Sequence, residues 1–278
     1  VILCIDGYNF MHRARSGFQL GDFNVIYNFF RNFKAIVEQM KPSRVYFTLE
    51  GSPKRALSLL PEYKANRIVD QTTEAGAAKY KSNEDFHRQK HLIVSLLCEF
   101  LPVSVVVHPD FEADDLIYNL VKNSSSAVPW TVASSDTDFI QLLNEFDHVK
   151  LYNPVSKLYV EEPAYDYVMW KALRGDGSDN IPGIPGVGDK TADDLVADPM
   201  KMKLMLEGNP EHAATFVRNM ELIRLATWSE EETKLMRSSS PTKNWDAVKA
   251  AFDGWGFKSL TKESYWDKFQ ATFDSLRS

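Results

Sequence analysis

Asp176 and Asp179 stand in a stretch, residues 175–192, that also carries Gly186-Val187-Gly188 ahead of a helical pattern. Carboxylates are the oxygen ligands that Mg²⁺ or Mn²⁺ prefers, and glycines that open a helix expose N–H groups able to hold a phosphate. Hard-metal ligation beside a phosphate cradle is equipment for phosphodiester chemistry. Further acids occur in small groups along the chain: Asp6, Glu50, then Glu112, Asp114 and Asp115, then Asp136 and Asp138.

The elements that must position these acids are short apolar runs alternating with helical patterns. Residues 1–5, 44–49, 103–108 and 129–133 read as strands, and each is followed closely by one of the acidic groups. Between the first two, Val25, Ile26, Phe29, Phe30, Phe33, Ile36, Val37 and Met40 recur at helical spacing and mark a core-facing side. Strands separated by helices imply an α/β fold with a central, mainly parallel sheet. Ligands of such sheets bind outside the carboxyl ends of the strands, so the acids are expected to converge at one edge.

Two carboxylates about 4 Å apart repel by roughly 4 kcal/mol at an effective dielectric of about 20, and this edge would gather up to nine. Either several are protonated or divalent cations neutralise them, and two metal ions are the expected solution. Two ions ~3.5–4 Å apart can drive an in-line displacement without a nucleophilic side chain. Glu112 and Asp115 share one face of a starting helix, as Asp176 and Asp179 do if their turn is helical. Taken singly, Asp114 or Asp136 could equally be a helix N-cap.

The remaining composition narrows the class. The chain has 278 residues, 44% hydrophobic and 25% charged, enough for one large α/β domain and a smaller helical part. No apolar run approaches the ~20 residues of a membrane span, and no basic stretch precedes the first strand. Cys4 and Cys98 sit in apolar runs and read as free thiols, which fits a reducing compartment. No cysteine pair has zinc-ligand spacing. A net charge of −6 argues against a nucleic-acid partner unless the acids are concentrated at metal sites.

From 52 to 85 the chain turns polar, with Lys54, Arg55, Lys64, Arg67, Lys79 and Lys81 interleaved with Tyr63 and Tyr80. A segment this long is expected to act as a mobile basic cover. Within it Lys64 and Arg67 are three apart, placed on one helical face beside Tyr63, a ring able to stack on a base. A separate helical pattern runs from 83 to 101, and after Ala197 the chain reads as mainly helical, with 238–241 as a polar joint.

Ile5-Asp6-Gly7-Tyr8-Asn9, Tyr63-Lys64-Ala65-Asn66-Arg67, Glu112-Ala113-Asp114-Asp115, Ser135-Asp136-Thr137-Asp138 and the 175–190 segment occur in an order that resembles the 5′-nuclease family. That family includes flap endonucleases, bacteriophage 5′-exonucleases and the 5′-nuclease domain of bacterial DNA polymerase I, and the resemblance covers residues 1–196. It implies a structure-specific phosphodiesterase, both flap endonuclease and 5′-3′ exonuclease, acting in primer or flap removal. Residues 1–165 would form the metal-dependent core with a helical arch over 52–90. Residues 166–278 would form a helical DNA-binding region with a helix-hairpin-helix turn at 181–196.

By the same resemblance Asp6, Glu112, Asp114 and Asp136 surround one Mg²⁺ or Mn²⁺, and Asp138, Asp176 and Asp179, with Asp136 shared, surround the other, while Asp115 lies close by. Lys64 and Arg67 match arch-base cations that contact the scissile phosphate, and Tyr63 would stack near the substrate end. Lys171 resembles a lysine that approaches the DNA. Gly186, Gly188 and Lys190 belong to a duplex-binding hairpin whose carbonyls can hold K⁺. The family commonly has Asp where this chain has Glu50, which puts in question how the first metal is held.

The expected partners are branched or flapped DNA with a 5′ single strand and RNA primer–DNA hybrids. The protein is expected to be a monomer free of membranes, in the cytoplasm of a bacterial or phage-infected cell, and free of an attached polymerase. Two other readings are a PIN-type ribonuclease, against which the hairpin and arch argue, and a noncatalytic binder of branched DNA, for which Glu50 is the one hint.

Overall fold

A computed structural model describes residues 1–276. Its sheet has seven strands: β1 Ile2–Asp6, β2 Arg44–Leu49, β3 Ser104–Val107, β4 Trp130–Ala133, β5 Val149–Asn153, β6 Leu158–Tyr159 and, from much later in the chain, Arg237–Ser238. The order across the sheet is β6-β5-β4-β1-β2-β3 and then Arg237–Ser238. The five long strands run parallel, and the two short ones pair antiparallel at the edges.

Buried parallel strands alternate their side chains between two covered faces. In β1, Leu3 and Ile5 enter one apolar cluster with Phe29, Phe33 and Phe47, while Cys4 enters another with Ile117, Val121 and Val132. The helix Asn24–Met40 lays Val25, Ile26, Phe29, Phe30, Phe33 and Val37 on the first face and stops at Lys41, which is left-handed at φ 44°. Phe29 is fully buried, and truncating it to Ala would cost about 3–5 kcal/mol.

Residues 52–85 and 83–101 are not a loop followed by a helix. A single helix of 27 residues, Glu74–Phe100, continues from the polar excursion into the core. Its exposed opening turns carry Lys79 and Lys81, and from Phe86 onward it buries Phe86, Ile93 and Leu97. Buried Gln89 accepts the N–H groups of Val25 and Ile26 at 2.9 and 3.2 Å and so caps the helix Asn24–Met40 from across the fold.

The 166–278 region does not stand apart from the core. The helices Trp245–Gly254 and Glu263–Asp274 bring Phe252, Phe269 and Phe273 into the cluster that holds Phe29 and Phe33. Phe30 lies 4.9 Å from Phe252 between ring centroids. Among the described residues no helix is long and apolar enough to cross a membrane.

Candidate metal centre

The acids gather at the carboxyl edge of the sheet, each held by local backbone. Asp6 ends β1, and Gly7 follows against β2 so closely that a Cβ there would meet Thr48 O at 2.3 Å. Asp6 accepts Asn9 N–H at 3.2 Å and the Ser134 hydroxyl at 2.8 Å. Glu50 accepts Ala113 N–H at 3.0 Å and caps the helix Ala113–Lys122. Asp136 caps the 3₁₀ turn Thr137–Phe139 through Asp138 N–H at 2.9 Å, and Asp114 accepts Asp115 N–H at 2.7 Å.

Burial and crowding leave these carboxyls poorly stabilised as anions. Burial, then the charges of Glu50 and Asp136, push Asp6 up to about 7. Burial pushes Asp138 and Asp115 up to about 6 and raises Glu50, and it drives Asp114 well above its ordinary range with help from Asp115 and Glu112. Removing bound cations from such a set would strand the charge, so the donors fit oxygen-preferring divalent ions.

Asp138, Asp176 and Asp179 each offer one carboxylate oxygen, the three atoms lying within 4.8 Å of one another. That trio is a group of acids that could hold a divalent cation. Asp6, Glu50, Glu112, Asp114 and Asp136 instead line one open cleft of about 740 Å³. Among the described residues they form no comparably tight group, because several of their oxygens accept protein N–H or O–H groups. Asp115 gives an oxygen to Ala226 N–H at 2.6 Å, which places it in the support of the site.

Two lysines occupy the acids' charge. Lys171, expected to approach DNA, is 6% exposed. Its Nζ lies 2.5 Å from Asp138 and 2.7 Å from Asp176, so as placed it reaches no external strand. Burial works against its charge, but Asp138 and Asp176 outweigh that and raise it. For Asp176 burial is likewise outweighed, by Lys171 and Ser178, and its carboxyl is held low. Lys64 Nζ lies 2.5 Å from Glu112 and 3.8 Å from Asp179.

The arch base is clamped on the loop between Asp176 and Asn180. Lys64 is left-handed at φ 57°, so Lys64 and Arg67 share a tight turn rather than a helical face. Lys64 N–H donates to Asp179 O at 2.9 Å, Asn66 to Gly177 O at 2.8 Å, and Asn180 to Glu62 O at 2.6 Å. Arg67 reaches Asp179 at 2.5 Å. Tyr63 is 7% exposed and donates its hydroxyl to Glu112 at 2.9 Å or Asp179 at 3.0 Å. Its ring is therefore not free to stack on a base.

Tyr8 does line the cleft, 5.9 Å from His12 between centroids. Arg13, Arg15, Lys64, Arg67 and Lys79 line the same space, and Arg15 ties the arch helix down through Ser82 and Asn83 at 2.8 and 3.0 Å. Their signal in the sequence was position: Tyr8 to Arg15 fill the turn and helix directly after the acid that ends β1.

The 175–192 segment forms a two-stranded hairpin, β7 Gly175–Asp176 with β8 Ile181–Pro182, between the helices Tyr167–Arg174 and Asp189–Ala197. Leu173, Ile184, Ala192 and Leu195 pack the two helices together. Gly186, at φ 80°, needs glycine's freedom, and a Cβ on Gly186 or Gly188 would meet nothing within 4 Å. Gly188 caps the second helix without a side-chain bond, and Lys190 is exposed beside it.

Residues 1–169 match the family described as 5′-3′ exonuclease, N-terminal resolvase-like domain. The 5′-3′ exonuclease of Mycobacterium tuberculosis is 26% identical over 250 residues, 81% of this chain and 73% of that protein. The thermostable DNA polymerase I of Thermus filiformis is 31% identical over 210 residues, 71% of this chain but 24% of the polymerase, so the chain spans about a quarter of that relative. In fold, it superposes on the bacteriophage T5 flap endonuclease crystallised with DNA and metal ions, with TM-score 0.64 at 18% identity over 99% of this chain and 98% of that one. A family match over more than half the sequence, joined to an acid cluster at the sheet's carboxyl edge, means that the chain belongs to the 5′-3′ exonucleases, together with the 5′-nuclease domain of DNA polymerase I.

Proposed function

We propose that the protein is a structure-specific 5′ nuclease that hydrolyses branched or 5′-ended DNA, with both flap endonuclease and 5′-3′ exonuclease action, in primer or flap removal. The observation that carries this reading is the meeting of Lys64, Arg67 and Tyr63 with Asp179 beside the trio Asp138, Asp176 and Asp179. Phosphate-binding cations and metal-binding anions thus share one carboxylate.

In this reading Asp138, Asp176 and Asp179 hold one Mg²⁺ or Mn²⁺, and Asp6, Glu112, Asp114 and Asp136 hold the other, with Glu50 fixing the helix that carries Asp114. Divalent ions supply Lewis acidity toward a phosphoryl oxygen and activate water. Lys64 and Arg67 complement the charge that develops on the scissile phosphate. Tyr8 and the arch helix guide the single-stranded 5′ end, and Gly186, Gly188 and Lys190 grip the duplex backbone, with the hairpin carbonyls available to K⁺. Backbone contacts read no bases, so RNA primer–DNA hybrids fall within the substrate class. A monomer suffices, since one chain carries every group.

Cleavage of a 5′-flap duplex labelled at either end, with and without Mg²⁺, tests the reading against blunt duplex and single-stranded RNA. Metal-dependent cutting at the junction is expected. Preference for the RNA, or tight flap binding with no cleavage in Mg²⁺ or Mn²⁺, would overturn it. Asp176→Asn should abolish that cutting while flap binding persists.

A further inference from the structure

Lys171 occupies the space between two of the three carboxylates that offer a metal site. Its Nζ lies 2.5 Å from Asp138 Oδ1 and 2.7 Å from Asp176 Oδ2, within a trio whose oxygens lie inside 4.8 Å. A Mg²⁺ held by this trio would sit about 2.1 Å from its ligand oxygens, and the ammonium, bonded to two of the same three carboxylates, would then face a divalent charge at close range. The two cations repel each other and compete for the charge of Asp138 and Asp176.

The backbone under Lys171 is pinned. Ala172 O accepts from the buried Asn219 side chain at 2.9 Å, and Leu173 O accepts Ile184 N–H at 2.9 Å. Any accommodation therefore falls on the side chain, whose four-carbon stem swings freely where a helix cannot. The neighbouring cation Arg67 differs in being half exposed, so that it can leave Asp179 at little cost.

We propose that Lys171 is a resident counter-ion that divalent metal must displace from Asp138 and Asp176, so that metal entry at this site is an exchange of one cation for another. The proposal rests on the reading of the trio as a metal site. It adds that the chain's own ammonium sets the affinity there, and that the released Nζ becomes available to a DNA phosphate. Metal and DNA binding are then coupled, each favouring the other.

The test is direct titration of the metal-free protein with Mn²⁺, without DNA, following free Mn²⁺ by electron paramagnetic resonance. Lys171→Met should tighten one class of sites by about tenfold or more, since a tethered competitor is gone, whereas Lys171→Arg should not tighten it. Lys171→Gln, which keeps one hydrogen bond to the acids, serves if the Met variant does not fold without metal. Its melting temperature should rise more with Mn²⁺ than that of the unmodified protein. Unchanged or weaker Mn²⁺ binding in the folded Met and Gln variants would overturn the exchange, even if the unmodified protein cuts flaps. Absence of both Mn²⁺ binding and flap cleavage in every form would overturn the nuclease reading as well.

Discussion

Asp115 Oδ1 accepts the backbone N–H of Ala226 at 2.6 Å, joining the first turn of the helix Ala113–Lys122 to the strap that follows the helix Pro210–Ile223. Asn119, one turn on, donates to Ala226 O at 2.7 Å and accepts from Trp228 N–H at 3.0 Å. Asp115→Ala should lower stability by about 1–3 kcal/mol, the cost of a buried N–H left without its partner. Asp115→Asn keeps an acceptor and should cost less. Urea denaturation at one pH compares them, and equal midpoints for both variants would contradict the strap assignment.

The raised carboxyls give the metal-free protein an unusual pH dependence. Asp6 is pushed up to about 7, and Asp138 and Asp115 to about 6, against roughly 4 in an unfolded chain. Between those values the folded state binds more protons than the unfolded one, so unfolding free energy falls as pH rises. Asp176, Asp70 and Glu232, held low, act in the opposite sense but at more acid pH, and His12 and His87, lowered chiefly by burial, oppose the trend nearer neutrality without matching the number of raised carboxyls. Chelator-treated protein should therefore have a higher urea midpoint near about pH 5 than near about pH 8, with added Mg²⁺ closing the gap at the higher pH. A midpoint that rises with pH in chelator would refute this balance.

Tyr63→Phe removes one hydroxyl donor shared by Glu112 and Asp179 while keeping the ring. Losing a hydrogen bond to a charged group should cost about 1.5–3 kcal/mol of stability in metal-free protein. Affinity for the 5′ single strand should be unchanged, because the ring faces protein. Fluorescence anisotropy with a flap substrate decides: a large loss of affinity on Tyr63→Leu with a silent Tyr63→Phe would restore the stacking role.

Gly186→Ala forces a side chain into left-handed backbone at φ 80°, a strain of about 1–2 kcal/mol. The space above it is open, so the damage should be confined to the turn. Duplex affinity at fixed salt should fall several-fold, with the single-turnover rate at saturating enzyme near its unmodified value. A rate that falls with unchanged affinity would move this turn from grip to chemistry.

The legible part of the fold was what local pattern determines. Strands ending in acids could be read because apolar runs stop where Asp6, Glu50, Glu112 and Asp136 begin. The strand Val149–Asn153 has a pattern as clear, with exposed Lys150 between buried Val149 and Leu151, although it is not among the four strands expected from the sequence. The edge strand Arg237–Ser238 carries no such pattern and exists only through its pairing with Val106 and Val107. The surroundings of Tyr63 and Lys171 are hidden from local pattern for one reason: both are polar tips that partners brought in by the fold hold in the interior. Lys171 meets Asp138 from 33 residues away, and Tyr63 meets Asp179 from 116. The first turns of the long arch helix read as part of a polar cover because they are almost wholly exposed and bury no apolar side that periodicity would mark.

The closing of Phe252, Phe269 and Phe273 over Phe29 and Phe33 has a consequence for synthesis on the ribosome. Every long strand of the sheet is made by Asn153, and the helices Asn24–Met40 and Glu74–Phe100 are already made to cover its first face, but the outer side of those helices stays bare until the helix Glu263–Asp274 emerges from the exit tunnel. Until then the apolar side chains Phe30 and Phe33 lack the aromatic partners that Phe252 and Phe273 supply. A stop codon just before Trp245 would leave that face permanently open and the product prone to aggregate, although every acid of the metal centre would already have been translated.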